Sequence, residues 1–148
     1  MKNGKILVFW HETEGESGKG LNHSIEYMKT LKKEKLIDWI SDIKFNKDST
    51  KCAIGSHNQR IYVYSVPPGH SKKDLKHKWK KLYAPLKGHS SYITHLDWTE
   101  NGDYLHTNDG AYEILFWNAH NGLRDPSGAT NTRDAKWLTW TSIIGFPV

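Results

Sequence analysis

The chain contains one pattern twice, without a gap. Residues 40–66 read ISDIKFNKDSTKCAIGSHNQRIYVYSV and residues 93–119 read ITHLDWTENGDYLHTNDGAYEILFWNA, at a constant offset of 53 residues. Ile40 matches Ile93, Ile43 matches Leu96, Phe45 matches Trp98, Ile61 matches Ile114, Val63 matches Phe116 and Tyr64 matches Trp117. Every one of these positions is apolar or aromatic in both copies. A period of this size marks stacked supersecondary units, and such a unit cannot bury its hydrophobic face alone.

Alternation and turn signals place strands over residues 5–10, 39–45, 51–54, 60–66, 78–83, 92–98, 104–107, 113–118 and 137–144. The linking segments NKDST, SHNQ, TENGD and NDGA are rich in residues that tolerate tight or left-handed backbone, and Asn101-Gly102 and Asp109-Gly110 are hairpin signals. A short helix is expected near 25–31, and 121–132 reads as loop. Four strands per roughly 40–45 residues is the unit of a propeller blade. The expected fold is therefore all-β: a partial β-propeller of about two four-stranded antiparallel blades plus flanking strands. The expected division is 1–38 as a strand of a preceding blade with a polar linker, 39–87 as a blade with a Lys-rich insertion, 88–135 as a second blade, and 136–148 as the start of a next, truncated segment. Two blades should leave two open flanks, exposing residues such as Phe45, Trp98 and Phe116.

Composition narrows the class. The chain has 148 residues, 12% of them aromatic with seven Trp, at a mean hydropathy of −0.72. That mix suits short strands with packed aromatic faces and long polar loops, and it argues against disorder. The single Cys52 cannot form an internal disulfide and reads as a core residue in a reducing cytoplasm. The apolar run 6–10 is too short to span a membrane. Net charge is +5, below the density of a dedicated nucleic-acid binder. The charge is concentrated: Lys72, Lys73, Lys76, Lys78, Lys80, Lys81 and Lys87 lie between His70 and His89, with Asp74 alone opposing them.

Gly88-His89 precedes the second copy and Trp117-Asn118 closes it, which resembles a WD repeat. That resemblance implies a hydrogen-bonded set of a His, a Ser or Thr on the middle strand, an Asp in the turn before the last strand, and the Trp indole. The matching residues are His89, Thr107 and Trp117, in structural roles. The expected Asp position holds Ala111, with Asp109 two residues early, and Asn118 replaces the usual final Asp. The first copy has Tyr64 and Ser65 at the closing positions and no Gly-His before it.

A closer resemblance covers about residues 39–148. The runs KGHSSYITHLDW at 87–98, TNDGAYEILFW at 107–117, GSHN at 55–58, IYVY at 61–64, RDAKW at 133–137 and TWTSIIG at 139–145 are similar to the echinoderm microtubule-associated-protein-like family. The resemblance implies the second of two joined, atypical propellers, binding tubulin and microtubules in the cytoplasm and cytoskeleton, without enzymatic activity. Two departures stand out: the hydrophobic motif of the family's first propeller is absent, and the family continues past the Gly-Phe-Pro-Val position into further blades.

No catalytic, metal or cofactor constellation is expected. No His pair has the spacing of a metal helix motif and there is no Cys cluster. His89, Ser90 and Asp97 lack a nucleophile elbow, the glycines at 15–20 lack phosphate-loop spacing, and Asn22-His-Ser24 is a glycosylation pattern without a secretory context. The candidate partner-binding residues are Lys72, Lys73, Lys76, Lys78, Lys80 and Lys81, suited to an acidic polymer. The alternative for them is a solvated hairpin extension. The partners expected are tubulin or microtubules, other proteins also being possible, with no membrane. Nucleic acid is disfavoured, because only Trp79 and Tyr83 could stack and both are expected to face the blade. The rival function is a generic WD-repeat scaffold, such as a signalling or ubiquitin-ligase adaptor. Should the lysines not be the contact, the loops at 57–59 and 109–112 are the next candidates.

Overall fold

A computed structural model describes residues 38–66 and 79–144 in full, together with the backbone of two earlier strands, β1 (Leu7–Glu12) and β2 (Ser24–Thr30). These two pair antiparallel. Where a helix is expected over 25–31, residues 25–30 therefore lie in a strand. The segment SIEYMKT also alternates Ile25 and Tyr27 with polar Glu26, and a pairing partner outweighs its helical propensity.

Strands β3 (Ile40–Phe45), β4 (Lys51–Ser56) and β5 (Arg60–Ser65) form an antiparallel meander. The fourth position, beside β5, is shared by two short strands. Strand β6 (Lys80–Lys81) pairs with Ser65 and Tyr64, and β7 (Leu86–Lys87) pairs with Ile61 and Arg60. The strand expected over 78–83 is thus cut to two residues; Pro85, between the two pieces, has no N–H to give a ladder. Strands β8 (Ile93–Trp98), β9 (Tyr104–Asp109) and β10 (Ile114–Asn118) form the second meander, followed by a one-turn helix α1 (Gly128–Asn131). The chain has the all-β architecture of a partial propeller.

The 53-residue offset holds down to backbone irregularities. A bulge falls between Ile40 and Asp42 in the first sheet and between Ile93 and His95 in the second. Left-handed residues recur as Ser49 (φ 58) with Gly102 (φ 78), and as Gln59 (φ 67) with Tyr112 (φ 61). The second turn corrects the Asp109-Gly110 hairpin signal: Tyr112 takes the left-handed position. Gly110 instead admits a close neighbour, since a Cβ there would lie 2.5 Å from the Tyr92 ring.

The two sheets stack face to face. Leu96, Trp98, Leu105, Leu115 and Trp117 meet Ala53, Ile61 and Val63 in one buried cluster. Polar atoms at this seam are paired: the Trp98 indole N–H donates to the Lys44 carbonyl at 3.0 Å, and Asp42 accepts from the Leu96 amide at 3.1 Å. The far face of the first sheet carries Cys52, Ile54, Tyr62 and Tyr64, with Val66 and Trp79 packed on them. Ile43 and Phe45 share that face by their cross-strand partners Ile54 and Cys52. They are 41% and 43% exposed, whereas their repeat partners Leu96 and Trp98 are fully buried.

The far face of the second sheet is covered by residues 128–144. Gly128 sits on Phe116 so closely that a Cβ would be 2.1 Å from it, and the Trp137 ring stacks on His106 at 3.7 Å. Of the three aromatic residues expected on open flanks, only Phe45 is exposed; Trp98 lies in the seam and Phe116 under the covering segment. The strand expected over 137–144 does not form. Trp137 makes a single bridge to Thr99, after which the buried Asp97 carboxylate accepts the amides of Thr139 (3.2 Å) and Trp140 (2.8 Å). Those N–H groups are taken from any ladder, and Trp140 turns left-handed at φ 55.

Candidate functional site

Thr107 and Asp109, two residues apart on β9, face the same side, and Trp117 on β10 faces it too. The Trp117 indole N–H donates to Thr107 Oγ1 at 2.8 Å, Thr107 Oγ1 lies 2.6 Å from His89 Nε2, and His89 Nδ1 lies 3.1 Å from Asp109 Oδ2. The indole donates to Thr107, and the Asp109 carboxylate faces His89 Nδ1 as an acceptor. Burial holds the His89 pKa below its ordinary value, against the opposing pull of Asp109 and Glu113.

Asp109 is thus in place, which corrects the expectation that the acid was displaced. Its Oδ1 accepts the amides of Ala111 and Glu113 at 3.0 and 2.9 Å. The turn folds back over the carboxylate, so the acid can leave from the last strand residue. The signal in the sequence was the two-residue spacing from Thr107. Sequence reasoning also missed Glu113, whose Oε2 accepts the Ser90 amide and hydroxyl at 3.0 and 2.8 Å. His89, Asp109 and Glu113 bring possible metal-ligand atoms within 4.8 Å of one another. Their carboxylates are already engaged by the hydrogen bonds just described. His89, Ser90 and Asp97 are not brought together: Ser90 turns to Glu113, and Asp97 pairs with His106 on the opposite face from Thr107.

The lysine cluster stands elsewhere. The insertion leaves the first sheet after Val66 and returns at Lys80, beside the Ser65 end of β5. Lys72, Lys73, Lys76 and Lys78 lie outside the described residues. Lys80 and Lys81 are exposed, with the Lys81 ammonium 5.8 Å from the Tyr62 ring centroid. The same strand end carries Lys47, paired with Glu100 at 2.5 Å, and Lys51, which donates to the Ala119 carbonyl at 3.2 Å. Trp79 and Tyr83 both pack on the core clusters, as expected.

The alternative contact loops, 57–59 and 109–112, sit at the other end of the strands, because each joins the second strand of its sheet to the third. There Trp39 and Tyr92, 53 residues apart, flank His57 at ring distances of 5.4 and 5.0 Å. Trp39 and Tyr92 are half exposed and Tyr112 is 85% exposed. Lys80 and Lys81 thus stand at one end of the sheets and the exposed aromatic rings at the other, and a single flat contact cannot use both.

The stacked, offset-repeated sheets and the His89 set agree with a match over the whole chain. Residues 1–148 match the family described as the echinoderm microtubule-associated protein second beta-propeller. The chain belongs to this family. It is 37% identical over 109 residues to echinoderm microtubule-associated protein-like 3 of Homo sapiens, covering 74% of this chain and 11% of that protein. It is 38% identical over 109 residues to echinoderm microtubule-associated protein-like 4 of Homo sapiens, covering 74% and 10%. It is 37% identical over 106 residues to the 77 kDa echinoderm microtubule-associated protein of Lytechinus variegatus, covering 72% and 15%. The chain thus spans a small part of the relatives it matches, within the family's second propeller. Among the described residues no helix is long and apolar enough to cross a membrane.

Proposed function

We propose that the chain is a non-enzymatic, microtubule- or tubulin-binding propeller segment of the cytoplasmic cytoskeleton. One observation carries the reading: a Lys-rich insertion emerges at one end of a blade in a family whose members are named microtubule-associated. Microtubules are acidic polymers. Lysines on an insertion can meet such a surface without disturbing the sheet, and their long-range attraction steers encounter. Lys80 and Lys81 anchor the returning end of the insertion, and Lys72, Lys73, Lys76 and Lys78 precede them in sequence.

The test is co-sedimentation of the full-length protein with polymerised microtubules across a salt series. Exposed charges are screened over about 8–10 Å near physiological ionic strength. Pelleting should be strong at low salt and fall steeply as salt rises. Absence of pelleting at low salt would overturn the reading and favour the general scaffold.

A further inference from the structure

The far face of the first sheet is buried unevenly. On β4 and β5 it carries Cys52, Ile54, Tyr62 and Tyr64, at 1%, 0%, 5% and 3% exposure. On the neighbouring β3 it carries Ile43 and Phe45, at 41% and 43%. The described residues packed on the buried group are Ile40, Val66 and Trp79. They stand at the start of β3, just after β5 and just before β6, all at strand ends. Ile54 lies on β4, between β3 and β5. A side chain there stays accessible to water unless something crosses the face above it. The cover therefore lies over β4 and β5 and stops short of β3.

The repeat shows what belongs in that place. At the seam, β5 is the third strand of the first sheet. It gives Ile61 and Val63 to the cluster that holds Leu105, Leu115 and Trp117 of the second sheet. At the 53-residue offset those three residues become Cys52, Tyr62 and Tyr64. The buried part of the far face is thus the part that a preceding third strand would cover. Leu96 and Trp98 lie on β8, which packs on β3, the first strand of the first sheet. Their counterparts are the exposed Ile43 and Phe45. The exposed part is thus the part that a preceding first strand would cover.

Strand β1 has the position of a third strand in the sequence. Leu7–Glu12 begins 53 residues before Arg60–Ser65. Its Phe9-Trp10 has a counterpart in Phe116-Trp117 of β10. Strand β2 pairs with β1 as β6 and β7 pair with β5.

We propose that the β1–β2 pair docks on the far face of the first sheet, over β4 and β5, as the outer half of a preceding blade. The strip over β3 stays open beside it. A lone two-stranded pair is marginally stable at best in water, so docking also holds β1 and β2 together.

Nuclear Overhauser contacts in the unaltered chain are the direct test. The rings of Tyr62 and Tyr64 and the methyl groups of Ile54 should show contacts to protons of residues 7–12. Contacts to residues 67–78 in their place, or none to 7–12, would overturn the proposal. Cys52, the single cysteine, supplies a second arm. Burial shields its thiol and pushes its pKa up to about 12, so a small maleimide should label it slowly. Glu26→Pro/Tyr27→Pro removes two N–H groups from β2. Consecutive amides of a strand point to opposite edges, so one of the two faces β1. Cys52 labelling should then quicken at least tenfold, while the Leu105 and Leu115 amides keep their protection from exchange. Labelling as slow as in the unaltered chain, once the β1–β2 pairing is lost, would also overturn the proposal. Should the proline chain fail to fold, the contacts in the unaltered chain decide.

Discussion

At the scale of single residues, the buried Trp117 pins the second sheet. Trp117 is 2% exposed, fills the seam, and donates to Thr107. Removing a buried Trp typically costs about 3–5 kcal/mol, and Trp117→Ala should lose that much in chemical denaturation, or fail to fold. His106 gives a second test. Its ring lies between Phe116 and Trp137, and burial pushes its pKa from 6.5 down to about 3. The unfolded chain therefore binds the extra proton first. The stability from keeping His106 neutral is complete above pH 6.5 and is lost as pH falls toward 3, at no more than about 1.4 kcal/mol per pH unit. His106→Phe, which keeps a ring in the stack, should flatten the stability profile between pH 6 and 4. A profile as steep as that of the unaltered protein would show that other groups govern acid unfolding.

At the scale of elements, the repeat was the legible part. The 53-residue offset announced both meanders, and the bulges and left-handed turns follow it. What escaped the sequence was decided by partners distant along the chain. The segment SIEYMKT reads equally as helix or strand until β1 is beside it. Residues 137–144 are aromatic enough for a strand, but a carboxylate 42 residues away takes their amides. The candidate site was legible in part: His89, Thr107 and Trp117 stand out by motif, whereas Asp109 and Glu113 depend on how one turn folds back. The bond from Asn108 to the Ile144 carbonyl was illegible, because it joins residues 36 apart in sequence. The Asp97 latch yields a prediction. Asp97→Ala leaves the amides of Thr139 and Trp140, both on exposed residues, without their protein acceptor. Hydrogen exchange at those two amides should quicken well before exchange at Leu105 or Leu115. Unchanged protection would mean that Trp137 alone holds the segment.

At the scale of the whole molecule, the two faces of the sheet pair are unequal. The second sheet is covered by its own following segment, but the first exposes Ile43 and Phe45 where the repeat buries Leu96 and Trp98. The isolated chain should associate through that face. Phe45→Lys should lower the association seen by sedimentation, at some cost to the melting temperature because the Phe45 ring also meets Trp79 edge-on. The two strand ends are unequal too, and that inequality bears on function. The most direct measurement is microtubule pelleting of the full-length protein carrying changes at one end or the other. Reversing Lys80 and Lys81 of β6, together with Lys72, Lys73 and Lys76 that precede them in sequence, to Glu should greatly weaken pelleting at low salt. Tyr112→Gly at the aromatic end should leave it unchanged. Retained pelleting by the folded charge-reversed protein, with loss in Tyr112→Gly, would contradict the account and move the contact to the aromatic end.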